Sequence, residues 1–240
     1  MKESWCREEM LLGEAAVAAL SQAHVAVFGL GGVGGYSVEA LCRAGVGALT
    51  LIDSDVFSES NLNRQLGALH STIGRSKAEV MAERVLDINP DCHVTALPFL
   101  YTEEDKQRFL SQEHQYDYII DAIDLVSAKL SLITTARALE IPVVSSMGTG
   151  NKLDPTQFQI TDIAKTSVCP LARVMRKELR ARGIAHHMVL FSTELPRTPS
   201  AMEAPPPGRH SVPGSVSWVP SVAGLMLAGY VVQELAKQKM

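Results

Sequence analysis

No CxxC pair occurs among the four cysteines: Cys6, Cys42, Cys92 and Cys169 are scattered along the chain. That spacing excludes the usual signatures of structural zinc and offers no disulfide framework. The opening "MKESWCREEM" is charged and has no apolar h-region, so a secretory signal is not expected. Long hydrophobic runs are missing too; the longest, Val222 to Val232, is too short to span a bilayer comfortably. The chain also lacks a basic excess. Its net charge of −4 excludes a wholesale nucleic-acid coat and leaves room for a local basic patch. What remains is a cytoplasmic enzyme or binding protein, with no membrane partner, in 240 residues of ordinary globular composition.

Strand and helix patterns alternate from the start. Glu8 to Ser21 reads as one amphipathic helix, and "HVAVFG" as a short apolar strand. After a glycine-rich turn, a helix runs through "YSVEALCRAG", then "ALTLID" forms a second strand. "GRSKAEVMAERVLDIN" is a helix stopped by Pro90; "HVTALPF" and "YDYIID" are strands, followed by the helix "SAKLSLITTARALE" and the strand "PVVSS". The expected fold is α/β: a Rossmann-like, doubly wound, mainly parallel sheet with C-terminal elaborations. Residues 1–150 form its nucleotide-binding core. Residues 151–240 add a substrate-side elaboration: strands "FQITDI" and "HMVLFS", a basic helix between them and a closing apolar helix. Six of the twelve prolines fall between Pro196 and Gly214, which reads as a mobile loop or lid.

Gly29, Gly31 and Gly34 make a GxGxxG turn between a strand and a helix, where backbone N–H groups approach phosphate and the helix N-terminus favours negative charge. Asp53 ends the second strand, 19 residues after Gly34, and suits the ribose hydroxyls. The turn alone does not separate NAD from ATP, and its spacing suits a hydride-transfer enzyme. The residues that follow decide for ATP. Arg64, in "FSESNLNRQ", and Lys77 bring two cations towards the phosphates, and a nicotinamide ring has no triphosphate for them to hold. Asp121 and Asp124, in "IIDAID", lie at the carboxyl edge of the sheet, where a carboxylate suits Mg²⁺ riding on phosphates. Taken singly, each has a bland alternative: a surface ion pair for Arg64, a solvated helix residue for Lys77, a turn cap for Asp121 and a helix cap for Asp124.

Together, "GLGGVGG", "LIDSD", "SNLNRQ", "GRSKAEV" and "DAID" resemble the ThiF/MoeB/HesA superfamily, over about Arg7 to Ser146. The resemblance implies transfer of AMP from ATP to a carboxylate. It assigns Asn61, Arg64 and Lys77 to the phosphates, Asp124 to magnesium and Arg7 to the ATP site of the other subunit in a homodimer. The C-terminal third, from "SSMGTGNKLDPTQFQITDIAKT" to "VPGSVSWVPSVAGLMLAG", is similar to the tRNA threonylcarbamoyladenosine dehydratases within that superfamily. That implies a modified tRNA as substrate, with ring closure and net loss of water. The intramolecular nucleophile makes a catalytic cysteine unnecessary. The rival is a carrier protein's C-terminal Gly-Gly, activated as sulfur-carrier enzymes do; their common CxxC…CxxC zinc site is absent.

In "CPLARVMRKELRARG", Arg173, Arg176, Lys177 and Arg180 fall at i, i+3, i+4 and i+7 on one helical face, with Arg182 and His186 nearby. Such a stripe fits tRNA phosphates, or it is a solvated helix face. Cys169 stands at that helix's N-terminus, where a thiolate would be stabilised; it is either a nucleophile exchanging with a sulfur-transfer protein or a packed small residue.

Overall fold

The computed structural model describes residues 3–104, 106–110, 116–200 and 212–237. Two helices open the chain, α1 (Cys6–Leu12) and α2 (Glu14–Gln22). One helix was expected here. Gly13 breaks it, with a φ of 85° that only glycine adopts without strain.

The strands and helices then alternate as the pattern predicts: β1 (His24–Phe28), α3 (Gly34–Arg43), β2 (Ala48–Ile52), α4 (Lys77–Ile88) and β3 (His93–Leu97). After the short α5 (Lys106–Phe109) come β4 (Tyr118–Asp121), α6 (Val126–Ala138), β5 (Val143–Ser146), β6 (Phe158–Asp162), α7 (Pro170–Ala181), β7 (Met188–Ser192) and α8 (Trp218–Lys237). The seven strands form one sheet in the order β3-β2-β1-β4-β5-β7-β6. All neighbours are parallel except β6, which runs antiparallel to β7 at the edge. The Rossmann-like expectation therefore holds, and the elaboration extends the same sheet.

Both faces of the sheet are buried, and β1 shows how. Val25 and Val27 enter the core beneath α3 and α8, while Ala26 and Phe28 enter the core shared with α5 and α6. A strand covered on both faces reads as a continuous apolar run. The closing helix α8 is long and apolar enough to cross a membrane by length and composition, and 56% of that window is buried within the fold. It crosses α3 at Gly224. A Cβ there would lie 2.2 Å from the Val33 carbonyl oxygen, and Ser37 Oγ donates to the Gly224 carbonyl at 3.0 Å. The absence of a side chain is what lets the two helices meet.

Of the proline-rich stretch expected to be mobile, residues 201–211 lie outside the described part. Its flanks are anchored. The Gly214 and Arg197 N–H groups donate to the Asn151 side chain (2.7 Å) and carbonyl (2.8 Å), and Asn151 N–H donates to the Gly214 carbonyl (2.8 Å).

Candidate active site

The chain order reverses between β1 and β4, and their carboxyl ends open into a cavity of about 900 Å³. This is where an open α/β sheet binds its ligand. The glycine turn forms its floor. Gly29 has a φ of 87°, and a Cβ there would lie 2.7 Å from the Ala122 carbonyl. Gly34 does not line the cavity; a Cβ on it would meet the Gly29 carbonyl at 1.8 Å, so its role is to close the turn. A Cβ on Gly31 would meet Gln65 Nε2 at an ordinary contact distance of 3.8 Å, and without one Gly31 presents bare backbone to the cavity.

Asp53 holds this turn from the next strand. Its carboxylate accepts from Leu30 N–H at 2.6 Å and Asp55 N–H at 2.8 Å. Burial pushes the carboxyl's pKa up, opposed by Lys77 and by those two N–H groups. Ordering the turn is a second task for a residue predicted to hold ribose.

The "SNLNRQ" stretch folds as a 3₁₀ turn (Glu59–Asn61) and the bend after it. Asn61 is buried and its Oδ1 caps the turn by accepting from Ser58 N–H at 3.2 Å, so the side chain is fixed at the cavity wall. Arg64 donates through Nη1 to the Ser60 carbonyl at 2.7 Å and to Asn63 Oδ1 at 2.9 Å. It pairs with no carboxylate among the described residues, and burial holds its pKa below the usual arginine value. Lys77 opens α4, is buried, and donates to Asp55 Oδ2 at 2.8 Å. Asp55 thus steadies one of three ammonium donors and leaves the others for phosphate oxygens.

The two aspartates of "DAID" part ways. Asp124 is exposed at the cavity edge. Asp121 is fully buried outside the cavity, 3.0 Å from Lys129 Nζ, and its Oδ1 accepts from Ile123 N–H at 3.1 Å. The ammonium lies off the hydrogen-bond direction of Oδ2, which has no aligned donor, so charge attraction carries that contact. Lys129 instead donates to the Ile123 carbonyl at 2.9 Å and ties down the turn that carries Asp124. Of the two readings for Asp121, the turn cap is correct.

The cavity thus gathers Gly29, Gly31, Asp53, Asn61, Arg64, Lys77 and Asp124. It does not gather Arg7, exposed on α1, nor the basic stripe of α7. The helix α7 starts at the cavity with Cys169, Pro170 and Leu171 and carries Arg173, Lys177 and Arg180 away from it, all three exposed. Arg176 is half-buried and donates to the Thr166 carbonyl at 2.8 Å and Oγ1 at 2.6 Å. Arg182 pairs with Glu178 at 2.8 Å and His186 lies 3.0 Å from Asp162. Cys169 is buried among Ile163, Met175 and their neighbours, which favours the packed reading.

Two residues of the cavity were given no role from the sequence. Gln65 is buried with its Oε1 lacking a hydrogen-bond partner, an acceptor awaiting a ligand donor. Its place beside Arg64 in the same motif was the available signal. Lys152 also lines the cavity, inside a stretch noted for its resemblance alone.

A cavity with bare backbone at Gly31 and the two cations Arg64 and Lys77 on its wall fits a nucleoside triphosphate. The model of the ThiF family matches residues 6–240. The tRNA threonylcarbamoyladenosine dehydratase of Bacillus subtilis is 42% identical over 246 residues, spanning 99% of this chain and 96% of that one. The crystal structure of the E. coli enzyme of that name, TcdA, in complex with ATP superposes with a TM-score of 0.88 at 36% identity, covering 99% of this chain and 97% of that one. More distant is the molybdopterin-synthase adenylyltransferase of E. coli, 33% identical over 53% of this chain and 50% of its own length. With a match over nearly its whole length, the chain belongs to the ThiF family.

Proposed function

We propose that this chain adenylates the carboxylate of threonylcarbamoyladenosine in tRNA with ATP, and that the activated group then closes a ring with net loss of water. The observation that carries the reading is one cavity holding the glycine turn, Arg64, Lys77 and Asp124 in a chain that aligns end to end with two dehydratases of that name.

A carboxylate is a poor electrophile because its leaving group would be oxide. In the first step a carboxylate oxygen attacks the α-phosphorus and the bond to the β-phosphate breaks, releasing pyrophosphate. Arg64 and Lys77 stabilise the charge that accumulates on the phosphate oxygens in a partly dry site. In the second step an atom of the same modification attacks the acyl carbon. AMP departs with the former carboxylate oxygen, which accounts for the lost water. Tethering replaces a catalytic nucleophile.

Asp53 holds the ribose, and Phe99 and Leu100, partly exposed beyond β3, form an apolar wall for the base. Magnesium is assigned to Asp124. Among the described residues no three His, Cys, Asp or Glu side chains form a metal cluster, so the ion would take its other ligands from phosphate and water, as Mg²⁺ does on nucleotides. The exposed face of α7 carries the tRNA backbone. At about 1.5 Å per residue, Arg173 to Arg180 spans roughly 10 Å leading from the cavity mouth. Arg176 supports that face through Thr166. Arg7 serves the site of a second copy in a homodimer.

The test is mass spectrometry of nucleosides from threonylcarbamoyl-modified tRNA incubated with the protein and Mg-ATP. The expected result is loss of one water from the modified adenosine with matching AMP. An unchanged nucleoside, with pyrophosphate exchange driven by a carrier ending in Gly-Gly, would replace the tRNA by a protein substrate.

A further inference from the structure

The segment after β5 brings Lys152 to the cavity wall. Lys152 is only 3% exposed, yet no carboxylate pairs with it among the described residues. Its hydrogen bond goes to a backbone oxygen, the Glu194 carbonyl, at 3.3 Å. The Glu194 carboxylate is occupied elsewhere, accepting from Leu153 N–H at 3.0 and 3.1 Å and from Asp154 N–H at 3.0 Å. A desolvated ammonium without a counter-charge is costly, and such a position persists where a ligand supplies the charge.

The backbone that carries Lys152 is held rigidly. Asn151 sits at a φ of 61°, a left-handed conformation that asparagine tolerates, and three hydrogen bonds to Gly214 and Arg197 keep it there. A second feature points the same way. The 12-residue helix α7 begins at the same wall, with Leu171 lining it, and its N-terminus has no side-chain cap. Its first residue, Pro170, has no N–H and Arg173 N–H donates to the Cys169 carbonyl at 3.1 Å, so the N–H groups of Leu171 and Ala172 are those left at the positive end of the helix dipole.

We propose that Lys152 and the uncapped N-terminus of α7 form an anion subsite that receives the substrate carboxylate before it attacks the α-phosphorus. This rests on the functional reading above and adds to it the residue that selects the carboxylate. Arg64 and Lys77 follow β2 in the chain and Lys152 follows β5, so the strand order sets them on either side of the β1–β4 switch point.

The experiment compares wild type with Lys152→Met, Lys152→Gln and Lys152→Arg in three readouts: Mg-ATP affinity without tRNA, steady-state AMP formation on threonylcarbamoyl-modified tRNA, and thermal melting. Methionine and glutamine should leave ATP affinity within twofold and raise KM for the modified tRNA roughly ten- to hundredfold, the range of a charge-assisted hydrogen bond. Arginine should recover part of that loss. Melting should stay level or rise in Lys152→Met, since an uncompensated buried charge has been removed. A lower melting temperature in both neutral variants, with ATP affinity falling alongside activity, would make Lys152 structural and overturn the proposal. Unchanged KM and kcat in a folded neutral variant would overturn it alone. A wild type that forms no AMP with this tRNA would overturn the functional reading and this subsite with it.

Discussion

Asp124 and Asp121 stand three positions apart in one motif and do opposite work. Asp124→Ala should abolish AMP formation while leaving the melting temperature close to that of wild type, because the side chain is exposed; normal turnover would remove it from the phosphate site. Asp121→Ala strands Lys129, which has no exposure, and should cost about 3–5 kcal/mol of stability by denaturant titration. Nothing in "IIDAID" says which carboxylate goes inside, because that depends on the residue at which β4 ends. Lys129, the lone lysine on the buried face of α6, was the available clue. His187 extends this buried group, with Nε2 2.8 Å from Ser145 Oγ, and burial lowers its pKa from 6.5 to about 4. The native state therefore resists a proton that the unfolded chain accepts. Stability from this group is complete above pH 6.5, is lost as pH falls from about 6.5 to about 4, and then levels off, on the order of 3 kcal/mol in all. Melting curves of His187→Gln should be flatter than wild type across that window and parallel to it above pH 7. Equal pH dependence in both proteins would show that His187 titrates normally.

At the scale of elements, the strands were legible because each is a short apolar run bounded by turn residues, and α4 announced its start with Ser76, whose Oγ accepts from Glu79 N–H. The break at Gly13 was missed because helical periodicity continues across it, while the φ of 85° that separates α1 from α2 leaves no periodic trace. The i, i+3, i+4, i+7 spacing of α7 marked one basic face correctly, but spacing cannot tell a free guanidinium from one engaged with a neighbouring loop. Arg176 is engaged. Its replacement by alanine would mix folding with binding. Arg173→Glu, Lys177→Glu and Arg180→Glu together keep the helix and reverse its exposed charge. The triple variant should bind tRNA at least tenfold more weakly at low salt, with a shallower dependence of affinity on salt and unchanged ATP affinity. Equal salt slopes for variant and wild type would take α7 out of the tRNA interface.

At the scale of the whole molecule, Arg7 is the assigned residue that calls for a second copy. Arg7 lies on α1, a helix with no buried residue among those described, next to Met10 at 81% and Leu11 at 88% exposure. An exposed apolar pair beside an unused arginine suits a surface that a second copy covers, and supports Arg7 acting across a two-fold interface. Neither partner geometry nor the reach of Arg7 is encoded in periodicity, which is why this contact rests on resemblance alone. Complementation separates an arginine lent in trans from one that acts in its own chain. Arg7→Ala and Asp124→Ala should each be inactive as homodimers. If they are mixed and allowed to exchange, half of the dimers become mixed. In each of those, one site combines an intact Asp124 with the partner's Arg7, so activity should recover to about a quarter of wild type. An arginine acting in its own chain would place both defects where mixing cannot separate them: the Arg7→Ala subunit would lack its own arginine and the other subunit its own aspartate. Mixed dimers that form, as checked by mass, yet produce no AMP would confine each site to one chain and overturn the arginine lent across the interface.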